Sequence, residues 1–163
     1  MPHPLFSSDE ITFQRPVEFG GLYWIHFAYP PPPSGAEERR ILDWHPALVI
    51  SSPPFCRHSA AVNVLAVTSY RGKLRPYHYF LSRQEYPELD TDSLVKTELA
   101  YPILRAQLPD QHFICKLREH DLQDVLQKVA GVLGITYFYG LVDSTELPDF
   151  SLRNLPPLKD PVE

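Results

Sequence analysis

Apolar residues along this chain come mostly in short runs separated by proline-led polar stretches, and only once do they settle into a helical period. After Gly20 and Gly21, "LYWIHF" is rich in β-branched and aromatic residues and reads as a first strand. "AYPPPPSGAEERRILD" follows, a polar loop too long for a tight hairpin. "PALVIS" is the second strand, "AVNVLAVTS" the third, "RPYHYFLS" a fourth and "DSLVKTEL" a fifth. Between the second and third lies "SPPFCRHSA", a loop with turn formers at both ends and with Phe55 expected to fold back onto the core. In "REHDLQDVLQKVAGVLG" the positions Leu122, Val125, Leu126, Val129, Val132 and Leu133 fall on one helical face. Asp121 and Asp124 sit near the positive end of that helix, and Gly134 stands where a left-handed cap belongs. The pattern predicts a mainly β fold with α: a small, strongly bent sheet or barrel covered by a C-terminal amphipathic helix. "ITYFYGLV" after it reads as another strand or an oligomer contact.

Composition narrows this picture. Eighteen prolines argue against an all-helical domain, since each interrupts a backbone ladder. With 163 residues, 44% hydrophobic and 21% charged, the chain fits one globular domain with tails. We divide it into an N-terminal extension over 1–16, a barrel domain over 17–147 and a proline-rich tail over 148–163. No apolar stretch reaches the roughly 18 residues of a membrane span, and the start lacks a signal-peptide pattern. Cys56 and Cys115 carry no CxxC or Cys/His spacing, so a disulfide framework, structural zinc or other cofactor is not expected and a reducing cytoplasm is. The net charge of -5 argues against a general nucleic-acid coat protein. From Ser34 to Arg83, however, seven Lys/Arg stand against three Asp/Glu, which fits a phosphate-bearing ligand at one site or ordinary solvated loops.

His45 is the residue that packing does not explain, because it opens an otherwise apolar strand. A hairpin centred between Cys56 and Arg57 places His45 opposite Thr68, with Ala47 and Val49 beside Ala66 and Val64 on the same face. Glu37, Arg39 and Arg40 lie in the loop before His45, and Arg71, Lys73 and Arg75 follow Thr68. Imidazole, hydroxyl, carboxylate and cations then meet at one rim. This set suits phosphodiester cleavage without metal: a base near neutral pH for a ribose 2′-OH, and fixed donors for the charge at phosphorus. The plainer alternatives are a histidine hydrogen-bonded at a strand start and a threonine satisfying backbone.

The ordered pieces "GGLYWIHF", "SGAEE", "HPALVISS", "VLAVTSY", "DSLVKTE" and "KLREHDLQDVLQKVAGVLG", from about Gly20 to Gly134, resemble the MazF/PemK family of toxin–antitoxin ribonucleases. The resemblance implies an SH3-like barrel of five to seven strands, a homodimer, single-stranded RNA cut without metal, and an acidic antitoxin in the same groove. Carried over by position, Thr68 matches the threonine assigned to catalysis, Ser69 its neighbour, and Gly35 and Glu37 the loop pattern. Arg39, Arg40, Arg71, Lys73 and Arg75 would carry the RNA backbone. His45 stands where the family has arginine, in a loop about three residues longer than the common spacing. Glu98 aligns with an acid, while Leu99 and Tyr101 replace the family's Gln and Arg. Three functions follow: a ribonuclease with His45, Thr68, Ser69 and Glu37 as its chemistry, a non-catalytic binding module for antitoxin, protein or RNA, or an inhibitor of a protein target such as a topoisomerase.

Overall fold

The computed structural model describes residues 15–27 and 43–135. The loop with Gly35, Glu37, Arg39 and Arg40, most of "ITYFYGLV" and both predicted extensions, save Arg15 and Pro16, lie outside them. Six strands form one sheet: β1 (Gly21–Phe27), β2 (Asp43–Val49), β3 (Ala61–Ser69), β4 (Tyr79–Leu81), β5 (Ser93–Leu104) and β6 (Phe113–Lys116). Their order is β4-β5-β3-β2-β1-β6, and every pairing is antiparallel. Two α-helices complete it, α1 (Pro53–His58) and α2 (Glu119–Val132).

Alternation along the strands sorts the core into two clusters. Ile25, Phe27, Ala47, Val49, Val62, Val64 and Ala66 pack together on one face of the sheet. Leu22, Leu48, Leu65, Val67, Leu81 and Val95 face the other way and meet Leu122, Val125 and Val129 of α2. Gly20 makes the junction possible: its φ is +78°, and a Cβ there would lie 2.7 Å from the Leu122 side chain. Its N–H donates to Val49 O and its carbonyl accepts from Leu117 N–H. Asp121, buried in the first turn of α2, accepts hydrogen bonds from the hydroxyls of Tyr79 on β4 and Tyr86.

The expected mainly β architecture with a C-terminal helix is therefore what the chain forms, and α2 matches its predicted span to within two residues at each end. Other elements differ. "SPPFCRHSA" contains the short helix α1, opened by prolines that suit a first turn. Phe55 points outward, 61% exposed, and Cys56 takes the buried place instead. β2 starts at Asp43, so His45 lies within the strand, opposite Ile25 of β1. β4 is only three residues long, β5 runs on through Pro102, and β6 was not expected.

Candidate active site

β2 and β3 pair in the register predicted from symmetry: Ala47 faces Ala66, Leu48 faces Leu65 and Val49 faces Val64. The pairing ends at Ala47 and Ala66 while both strands continue, so His45 and Thr68 flank the place where the ladder stops. His45 is half-buried, with its Nδ1 sealed from solvent. Thr68 and Ser69 are half-buried at the end of β3, opposite Leu94 and Ser93 of β5. Ser69 Oγ also lies 3.4 Å from Thr91 Oγ1, which donates to it. Arg71, Lys73 and Arg75 follow in an exposed loop. Glu37, Arg39 and Arg40 lie outside the described residues.

A second group on this face was not anticipated. Val67, Val95 and Tyr79 all pack toward α2, so their neighbours Thr68, Lys96 and His78 turn to the opposite side. Extending the β3–β5 and β4–β5 ladders by one residue sets Ala66, Lys96 and His78 in one cross-strand row. The row carrying Thr68, Leu94 and Phe80 lies two residues along. His78 is 4% exposed, and its Nε2 faces two groups at once: Glu98 Oε1 at 3.1 Å and Lys96 Nζ at 3.2 Å. Nδ1 receives the Arg75 N–H at 3.4 Å, which favours the ring proton on Nε2, where Glu98 accepts it. Burial pulls the His78 pKa below the ordinary imidazole value, with Glu98 opposing and Lys96 and Arg75 reinforcing the shift. Burial likewise lowers the Lys96 pKa, against the pull of Glu98. The result is a neutral imidazole wedged between a carboxylate and an ammonium that releases its proton more readily than an exposed lysine.

A break in the sheet creates this group. Leu65 pairs with Ala100, but Val67 pairs with Val95, so β5 carries three more residues than β3 needs over this stretch. The surplus includes Thr97 and Glu98. Thr97 Oγ1 donates to Tyr77 O and ties the bulge to the loop before β4. Glu98 thereby reaches the His78 ring while its side chain stays 31% exposed. Beyond the bulge, Leu99 and Tyr101 pack against the core cluster of Phe27, Val49 and Val64, where Tyr101 meets Phe27 edge to face.

Neither cysteine has the environment of a nucleophile. Burial raises the Cys56 thiol and pushes Cys115 up to about 12. Among the described residues no set of three or more His, Cys, Asp or Glu is placed to hold a metal ion. Nor, among them, is any helix long and apolar enough to cross a membrane.

A family described as "PemK-like, MazF-like toxin of type II toxin-antitoxin system" matches residues 18–133. Among solved structures, an endoribonuclease from a mycobacterial species is similar at TM-score 0.55 and 16% identity, over 75% of this chain and 95% of that one. MazF from Deinococcus radiodurans is similar at TM-score 0.56 and 20% identity, over 74% of this chain and 99% of that one. A mycobacterial endoribonuclease in complex with its cognate antitoxin is similar at TM-score 0.53 and 17% identity, over 71% of this chain and 93% of that one. At such identities the likeness establishes the fold. No curated protein sequence matches.

Proposed function

The chain belongs to the PemK-like, MazF-like toxins of type II toxin–antitoxin systems, and on that premise we propose that it is a metal-independent endoribonuclease acting on single-stranded RNA. The observation that carries the proposal is the placement of Thr68 on one sheet face with His45 on β2 and the Lys96, His78 and Glu98 group on β5 and its neighbour loop. Glu98, open to solvent and held by His78, takes the proton of a ribose 2′-OH. The freed oxygen attacks phosphorus and the bond to the 5′-oxygen breaks, leaving a 2′,3′-cyclic phosphate. His45, on the other side of Thr68, supplies the proton to the departing 5′-oxygen. Lys96 and the Thr68 and Ser69 hydroxyls stabilise the charge that builds at phosphorus. Arg71, Lys73 and Arg75 draw in the backbone of the RNA, with Arg39 and Arg40 read as further phosphate-binding cations and Glu37 as a further acid candidate.

The protein is further read as a cytoplasmic homodimer whose cognate antitoxin covers this face with an acidic segment. The mycobacterial complex with a cognate antitoxin supports a protein partner, and the exposed cations after Thr68 give an acidic segment its counter-charges. The alternative, a non-cutting member that binds RNA or antitoxin, is favoured by Leu99 and Tyr101, which pack in the core where the family resemblance implies polar Gln and Arg.

Cleavage of a long single-stranded RNA in chelator decides between them. The parent should cut at fixed sites and leave 2′,3′-cyclic ends. Glu98→Gln and His45→Ala should each lose roughly 10²- to 10⁴-fold in rate. Binding without cutting by the parent would establish the binding module, and full activity of Glu98→Gln would remove that carboxylate from the chemistry.

A further inference from the structure

Tyr70 and Phe80 form an exposed aromatic pair on the same face, and nothing in the cleavage scheme above uses it. Their ring centroids lie 5.3 Å apart at an interplanar angle of 82°, and the residues are 37% and 38% exposed. Large apolar rings are usually withdrawn from water, and here two are held outward by backbone that cannot easily turn them inward. Tyr70 N–H donates to Asp92 O at 2.8 Å, and Phe80 pairs with Leu94 in the β4–β5 ladder. Tyr79 and Leu81, the neighbours of Phe80, are committed to the α2 side, so Phe80 turns to the opposite face. Thr68, Leu94 and Phe80 form one cross-strand row, which puts Phe80 two strands from Thr68, roughly 9–10 Å away. Tyr70 is two residues from Thr68 on the same strand end, and Arg71 and Lys73 follow it directly. Asp92, whose carbonyl accepts the Tyr70 N–H, accepts the Arg83 N–H with its carboxylate.

We propose that Tyr70 and Phe80 are a stacking platform for an unpaired base of the RNA strand, one next to the bond that Thr68 positions. The proposal rests on the ribonuclease reading of the rim and adds to it the element that makes the site select unpaired RNA. An edge-to-face pair leaves a ring face open, every nucleobase has a π-face to lay on it, and adjacent cations hold the phosphates on either side. A base inside a duplex already has both faces covered by its neighbours and cannot use the platform. An acidic protein segment would engage Arg71 and Lys73 equally well but gains no comparable benefit from a flat aromatic surface.

The test separates this platform from the chemistry by using an RNA that binds and cannot be cut, with 2′-O-methyl ribose throughout. Affinity is read by fluorescence anisotropy for the full chain and for Phe80→Ala, Tyr70→Ala and Tyr70→Phe. Phe80→Ala and Tyr70→Ala should bind roughly 5- to 150-fold more weakly, while Tyr70→Phe should bind as the parent does. Removing one base at a time from the oligonucleotide should reveal one position whose loss weakens the parent and leaves Phe80→Ala unchanged. The same RNA annealed to its complement should show no dependence on either ring. Equal binding by the alanine variants overturns the platform. So does a loss confined to an acidic antitoxin peptide with RNA affinity intact, which would assign the rings to the protein partner. If the parent binds but never cuts natural RNA, the ribonuclease reading fails while the ring dependence still reports on the platform. Tyr70 is 37% and Phe80 38% exposed, so each variant is melted beside the parent and affinity is compared at a temperature where all are folded.

Discussion

At the scale of single residues the histidines divide by environment. His45 opens a strand in sequence and sits half-buried within it in the structure, beside the end of the β2–β3 ladder. His78 is more enclosed, yet its signal in "RPYHYFLS" is no different from that of an ordinary strand aromatic. What marks it is a contact twenty residues away with Glu98, created by a bulge that no local pattern announces. In the proposed mechanism His78 acts through Glu98, as a positioning residue. Burial keeps it neutral below the ordinary imidazole pKa of about 6.5, so cleavage should hold its rate as pH falls through that value and decline only below it. Protonation would turn the hydrogen bond to Glu98 into an ion pair and weaken the carboxylate as a base. His78→Gln, which keeps a donor near the position of Nε2, should retain most of the rate at pH 7 and lose this acid limb. His78→Ala should lose the rate as well. A pH profile that is the same in His78→Gln and the parent would exclude the assignment.

At the scale of elements, periodicity was a good guide where an element is long and faces one environment. α2 and β3 fall where their apolar spacing puts them, and the β2–β3 register follows from simple symmetry. The failures have local causes. Two prolines in "SPPFCRHSA" resemble a turn but also suit a helix start, where the missing N–H costs nothing. Pro102 argues against a strand, yet it sits where β4 no longer pairs with β5, so no ladder bond is lost on that side. β6 has four residues, too few for alternation to show. The bulge in β5 is the costliest omission, because it makes the proposed site. Thr97 anchors it, and Thr97→Val should leave Tyr77 O without its side-chain donor, lowering stability by about 1–3 kcal/mol in urea titration. Loosening the bulge should also reduce cleavage by more than the loss of folded protein accounts for. Full specific activity in the folded fraction would show that the bulge holds Glu98 without that anchor.

At the scale of the whole molecule, the two faces of the sheet do different work. One is covered by α2, and the other carries the second core cluster and, at its end, the polar rim. Asp121 joins helix to sheet. Burial alone would raise its pKa, but the Tyr79 and Tyr86 hydroxyls, with His120 and Arg118 nearby, outweigh it and leave the carboxyl below its usual range. A carboxyl lowered in the folded state stabilises it above the unfolded pKa of about 3.9, and that stability is lost as pH falls through the folded value. Asp121→Asn should therefore cost about 1–3 kcal/mol near neutrality and progressively less below about pH 4, as read from urea midpoints across pH. A penalty that persists unchanged in acid would place the cost in packing.

Three consecutive residues of β4 have three separate attachments. Tyr79 is tethered to the helix, Phe80 stands at the rim, and Leu81 is packed in the sheet's core. Such a strand cannot let go of one neighbour and keep the others. Acid that frees the helix should therefore disturb the rim in the same event, so that loss of the fold and loss of the proposed site would be read at one pH.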